Sequence, residues 1–269
     1  MTQAQIVEFE EEAAVWKFRT VQQAGDKAEL GESAPCRNFR QGSHRSFPTI
    51  GSPQTGANRK TGREGRIDDL IAEHCPDGME FKKLGEVGEF LRGNGLQKAD
   101  LTDNGVPAIH YGQVHTYYGV WTNTTKSFTN PTLAAKLRRA KPGDLIIATT
   151  SEDDEAVAKA TAWLGETEVA VSGDAYIYRH TLNPRYVSYF FQSEGFQRQK
   201  AHRITGTKIR RISGTALAKL QVPVPPLVVQ EEIVRVLDTF IKLEADLEAR
   251  KKQYEYYAGV VSSGGCNTG

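Results

Sequence analysis

Cysteine is scarce in this chain. The three present, Cys36, Cys75 and Cys266, stand far apart, and no CxxC pair occurs. That spacing argues against a disulfide framework or a zinc knuckle and points to a reducing compartment. Long apolar runs are also missing, so no segment has the length needed to span a bilayer. The opening MTQAQIVEFEEE is acidic and lacks the basic and apolar regions of a secretion signal. A cytoplasmic protein without membrane contact is expected. No net charge of either sign dominates: 34 Lys and Arg face 33 Asp and Glu, giving +1. That balance excludes little, because a nucleic-acid binder needs a local basic surface and not a basic total.

Catalytic signatures are missing as well. There is no GxxxxGK[ST] loop for nucleotide phosphates, no HExxH, no GxSxG and no calcium loop. Arg92-Gly93-Asn94-Gly95 carries only part of a dinucleotide fingerprint and reads as a turn between strands. Ser151-Glu152-Asp153-Asp154-Glu155 clusters carboxylates that suit a metal less well than a solvated loop or a helix N-terminus, with Ser151 as its cap. No catalytic residue and no metal site are assigned.

What is present is unevenly distributed. Residues 1–30 could hold one amphipathic helix. From 31 to 66, Gly, Pro, Ser, Thr, Asn and Arg replace the bulky aliphatics. Such a stretch buries too little apolar area to offset chain entropy, so residues 1–66 are read as a largely disordered extension. The globular part, 67–226, opens with a short helix in IDDLIAEH and a turn at Cys75–Gly78. Period-two patterns then predict strands over 80–92, 106–111, 144–149, 168–172 and 174–180. Helices are expected over 131–141, from Pro184 to Lys200, and in SGTALAKL. In the second, Val187, Phe190, Phe191 and Phe196 form the buried side. Short strands and helices without βαβ alternation make an α+β domain.

After Pro223, Pro225 and Pro226 the pattern changes. Ile233, Val236, Phe240, Leu243, Leu247, Arg250, Tyr254 and Tyr257 follow alternating steps of three and four, an a/d stripe of about four heptads and about 40 Å. A helix over 227–257 is expected. Its stripe must pack either on the chain's own head or on another helix; length, charge and terminal position favour the second. The tail 258–269 reads as disordered.

Two stretches suit nucleic acid. Arg198, Lys200, Arg203, Lys208, Arg210 and Arg211 lie within fourteen residues that contain no acid, with Thr205 and Thr207 among them and Gly206 freeing the loop. IHYGQVHTYYG (109–119) supplies His, Tyr and Gln, which can read base edges; it is equally a strand-turn-strand with ordinary aromatic packing. Lys136, Arg138, Arg139 and Lys141 are taken as a solvated helix face.

Seven strings resemble, in order, the target-recognition domain and spacer helix of type I restriction-modification specificity subunits. They are PDGMEFKKLGEVGEFLRGNGLQKADL, PAIHYGQVHTYYG, KPGDLIIATTSED, VAVSGDAYIYRH, FFQSEGFQRQK, GTKIRRIS and LAKLQVPVPPLVVQEEIVRVLDTF. RKKQYEYY resembles the end of the spacer helix, and Pro223, Pro225 and Pro226 followed by Gln230 carry the strongest single match. The resemblance covers about 67–257. It implies a non-catalytic subunit that binds duplex DNA and holds modification and restriction subunits. No cofactor is expected on this chain; S-adenosylmethionine, ATP and magnesium belong to those partners. The usual member has two recognition domains and two spacer helices, so a half-size or truncated subunit is expected. It would form a homodimer, or pair with another half-subunit, through the C-terminal helix. On residue type and loop position, the DNA contacts expected are Arg92, Asn94, Gln97, Lys98, His110, Tyr111, Gln113, Tyr117, Thr150, Ser151, Arg203, Thr207, Lys208 and Arg210. Helix pairing would use Ile233, Val236, Phe240, Leu243, Leu247 and Tyr254. The alternative is a remnant that joins the modification subunit without reading DNA itself.

Overall fold

The structure, a computed structural model, describes residues 64–263. The expectations for 1–63 and for 264–269 lie outside the described residues. Two five-stranded sheets form the head, and alternation along their strands explains how they stack. In one sheet the order is β2 (Gly88–Arg92), β12 (Ala175–His180), β8 (Leu145–Ala148), β10 (Ala160–Trp163) and β5 (Trp121–Thr122). In the other it is β3 (Leu101–Thr102), β6 (Ser127–Thr129), β4 (Val106–Ile109), β11 (Val169–Val171) and β7 (Arg139–Ala140).

The four residues of β8 are all buried. Leu145 and Ile147 join Tyr178 in the core beneath the helices; Ile146 and Ala148 join Ile177, Ile109, Val169 and Val171 in the core between the sheets. Successive side chains on a strand point to opposite faces, so one short apolar run serves both layers. Sheet two repeats the logic, with Ala108 and Ala170 turned to a third cluster holding Leu96 and Leu137. Each sheet contains one parallel pair, β10 with β5 and β4 with β11. The mixed α+β class is as expected.

Several boundaries differ from expectation. The strand expected over 80–92 is split into β1 (Phe81–Lys83), the helical turn α2 (Leu84–Val87) and β2. Leu84 is fully buried there and its carbonyl accepts from Tyr178 Oη at 2.8 Å, which fixes the turn. The helix expected over 131–141 stops at Ala134 (α4, Pro131–Ala134). The chain then turns Leu137 into the third cluster and pairs Arg139 and Ala140 with β11, so the basic set does not line a helix face. The helix from Pro184 is two: α5 (Pro184–Phe190) and α6 (Glu194–Ala201). Ser193 Oγ donates to Phe190 O at 2.7 Å and accepts from Phe196 N at 3.1 Å, ending one helix and capping the next. Val187, Phe190, Phe191 and Phe196 are buried, as the spacing implies.

The helix expected in SGTALAKL is the turn α7 (Gly214–Leu217). The first helix, α1 (Glu64–His74), packs against the long C-terminal helix α8 (Leu227–Ser263). α8 runs six residues past the 227–257 expected, into the stretch read as a disordered tail. Its start is clamped. Gln230, buried beyond the prolines, donates Nε2–H to Pro225 O at 2.8 Å and accepts from Asn183 N at 2.8 Å through Oε1. One side chain thus ties the first turn of α8 to the cap of α5. Farther along, Asp238 accepts from Arg185 Nη1 at 2.8 Å and Tyr189 Oη at 2.6 Å. Val229, Ile233, Val234 and Leu237 are buried in the head's own core. Ile233 therefore belongs to the head and is not available to a partner helix, and Val236 is partly buried against the same core. Past Asp238 the burial ends: Phe240 and Leu247 are half-buried, Leu243 is exposed and Tyr254 is 75% exposed.

Candidate nucleic-acid interface

The residues expected to meet DNA come from four segments far apart in sequence. A turn given no role in the sequence reading bonds to three of them, and the third in turn holds the fourth. Ser172-Gly173-Asp174 carries the chain from β11 in one sheet to β12 in the other. Arg92 Nε donates to Gly173 O at 2.9 Å, and its guanidinium lies 3.6 Å from Asp174. Tyr111 N donates to Ser172 Oγ at 2.8 Å. Thr149 gives both its backbone N–H and its hydroxyl to Asp174 O, at 3.1 and 3.0 Å. A Cβ on Gly93 would lie 2.1 Å from Ser172 O, so only glycine permits this approach.

In the first segment, Leu96 is buried and leaves Gln97 and Lys98 exposed. Asn94 spends its amide on the backbone: Nδ2 donates to Lys136 O at 3.1 Å and Oδ1 accepts from Arg138 N at 2.6 Å. Arg138 in turn donates to Arg92 O at 2.6 Å. Asn94 and the basic 136–139 stretch therefore brace the loop carrying Arg92.

The second segment is neither a continuous strand nor a strand-turn-strand. β4 ends at Ile109 and a helix, α3 (Tyr111–Thr116), follows at once. His110 is its cap, accepting from Gly112 N at 3.2 Å through Nδ1. Gln113 closes the box: Oε1 accepts from His110 N at 3.0 Å and Nε2 donates to Ser127 Oγ at 2.8 Å. Both ends of the Gln113 amide are occupied, which leaves little for a base. His115 Nε2 is 3.0 Å from Thr150 O, and Lys159 Nζ donates to His115 O at 3.1 Å. Burial lowers the His115 pKa, and the Lys159 charge adds to that. Tyr117 is exposed, with Lys126 Nζ 4.7 Å above its ring.

The third and fourth segments meet as a small sheet. β9 (Thr150–Ser151) pairs antiparallel with β13 (Arg210–Arg211). Thr150 is buried at this join. Ser151 Oγ accepts from Asp153 N at 3.2 Å within a turn, so it caps no helix. Arg210 is salt-bridged to Asp154 at 2.9 Å and donates to Gly206 O at 2.7 Å. Thr205 and Arg211 exchange two backbone bonds, and Gly206 takes φ +94°. This closes a five-residue loop with Thr207 and Lys208 exposed at its tip. Arg203 is exposed just before it. The acidic turn is held from below by Lys200, which is fully buried and donates to Glu155 O at 2.9 Å and Val157 O at 2.8 Å. Burial pushes the Lys200 amine down to about 8, against the pull of Asp153, Asp154 and Glu155. Among the described residues, no group of three or more His, Cys, Asp or Glu is placed to hold a metal ion.

The four segments therefore join edge to edge: the 92–98 loop, the 172–174 turn, α3, and then β9 with the 205–211 loop. Arg92, Gln97, His110 and Tyr111 line one open groove of about 370 Å³ beside the 172–174 turn. Valine-rich β11 and alanine-led β12 were legible around Ser-Gly-Asp, so the turn itself had a sequence signal; its role as a junction had none.

Comparison with known proteins places this arrangement. Residues 76–254 match the Type I restriction modification DNA specificity domain. The chain is 25% identical over 207 residues to the Type I restriction enzyme EcoR124I/EcoR124II specificity subunit of Escherichia coli, covering 69% of this chain and 48% of that one. It is 22% identical over 192 residues to the EcoKI specificity subunit of Escherichia coli K12, covering 69% and 40%. The chain thus spans about half the length, or less, of these curated relatives. A chain solved in work on complex assembly and conformational transition of the type I R-M system has the same fold, with TM-score 0.51, 17% identity and 74% of this chain covered. The match spans the recognition head and most of the long helix, so the chain belongs to the type I restriction-modification DNA specificity family.

Proposed function

We propose that the head reads one half of a bipartite duplex DNA target, and that the chain positions modification and restriction subunits around it. The observation that carries this reading is that three polar segments bond to the 172–174 turn and the fourth, the 205–211 loop, pairs with the third through β9, with exposed Lys98, Arg203, Thr207 and Lys208 on these segments. Exposed Lys and Arg on loops suit phosphates, while Gln97 and His110 line the groove and suit base edges. Chemistry then belongs to the partner subunits, with S-adenosylmethionine on the modification subunit and ATP and magnesium on the restriction subunit. The exposed part of α8 pairs antiparallel with a second such helix, from another copy or another half-subunit, and sets the distance between half-sites. For two identical copies, two-fold symmetry requires an inverted repeat as target.

A gel shift with the purified chain, alone and with a modification subunit, over a salt series tests this. Sequence-selective binding is expected, and Lys208→Ala should weaken it for all sequences and reduce the salt slope by about 1. Binding to the modification subunit with no DNA selectivity in either mixture would establish the interaction-only alternative instead.

A further inference from the structure

The groove beside the 172–174 turn contains a polar group whose direction of bonding is set by the fold. His110 lines it, half-buried, together with Gln97, Tyr111 and Asp174. Its Nδ1 accepts the Gly112 N–H at 3.2 Å. A neutral imidazole carries one proton, so the nitrogen that accepts leaves the other as the donor. The proton therefore resides on Nε2, which has no partner among the described residues. The ring is held by its Gly112 bond and by the Tyr111 ring, 4.5 Å away between centroids. Burial lowers the His110 pKa, with Asp174 raising it and Lys98 lowering it, which favours the neutral ring.

We infer that His110 is a specificity-determining residue that donates Nε2–H to an acceptor on a base edge: purine N7, guanine O6 or thymine O4. Those are the acceptors exposed in the major groove; cytosine offers only an amino donor there. A donor with fixed polarity rejects an edge that presents another donor, because two N–H groups then face each other unpaired. This assignment rests on the DNA-reading proposal above and makes it specific at one base pair.

The test uses the full chain with its modification subunit and the duplex that the complex enriches from a randomised pool. Each base of the enriched half-site is replaced in turn by an analogue lacking one acceptor: 7-deazapurine for N7, 2-aminopurine for guanine O6, and 5-methyl-2-pyrimidinone for thymine O4. One position should lose about 3- to 10-fold in affinity with the natural chain. That loss should vanish in His110→Asn, which retains an N-cap acceptor for Gly112 N but shortens the side chain. An analogue pattern identical in the natural chain and His110→Asn would overturn the assignment, as would a natural chain indifferent to every analogue; both leave DNA selection intact. Failure to enrich any sequence would instead remove the DNA-reading proposal, and this assignment with it.

Discussion

At the scale of single residues, type alone misleads about which polar groups can meet a ligand. Asn94 and Gln113 have the side chains best suited to reading adenine, yet each has its amide engaged at both ends within the fold. Gln97 and His110 look no more specific in the sequence, and they line the groove. The difference is a matter of partners: Gln113 stands three residues after a cap and opposite Ser127, and neither fact is visible in IHYGQVHTYYG. Gln113→Ala should accordingly lower stability by about 1–2 kcal/mol, through loss of the box and the Ser127 bond, with target preference unchanged. Urea unfolding and a base-substitution binding series measure the two effects; a change in preference at a single base without loss of stability would return Gln113 to the reading surface.

At the scale of elements, the long helix has two regimes that its sequence stripe does not distinguish. Ile233 and Leu243 both occupy a/d positions, but Ile233 is 7% exposed in the head's core and Leu243 is 53% exposed. The change falls after Asp238, which Arg185 and Tyr189 bond from the head. Leu243→Asp should leave the thermal midpoint of the head nearly unchanged and convert a self-associated species to monomer in sedimentation velocity. Ile233→Asp should instead unfold the head, because it places a carboxylate in an apolar core. Persistent dimers with Leu243→Asp would move the pairing surface elsewhere. The short elements follow the same lesson. Asn183-Pro184 and Ser193 are start signals readable in sequence, whereas the end of α4 at Ala134 was set by the backbone bonds that Arg139 and Ala140 make to β11.

For the whole molecule, buried titratable groups tie stability to pH. His180, at the end of β12, packs against Tyr178 with ring centroids 5.0 Å apart. Burial pushes its pKa down to about 4, and neither ring nitrogen has a hydrogen-bond partner among the described residues. The unfolded chain takes up the proton near its ordinary 6.5, while the native chain resists until about 4. Stability should therefore fall as pH drops from about 6.5 to about 4, by about 3 kcal/mol from this residue. Carboxylates act in the same direction, so the measurement is a difference: the acid loss in urea midpoint should be smaller for His180→Gln than for the natural chain. Equal losses in both would show that His180 is not responsible. No helix among the described residues is long and apolar enough to cross a membrane.

The sequence alone determined what depends on local and periodic chemistry. Strands at 145–148, 169–171 and 175–180, the buried face of Val187, Phe190, Phe191 and Phe196, and the helix after the prolines all follow from patterns spanning a few residues. The proline-to-Gln230 join was legible as a motif. Only the tertiary structure decided what depends on partners distant in the chain: that Gln230 bonds Asn183, that Ile233 is head core, and that Ser172–Asp174 draws Arg92, Tyr111 and Thr149 together. A hydrogen bond is a property of two groups and their separation. The composition of a loop names one of them; the fold supplies the other.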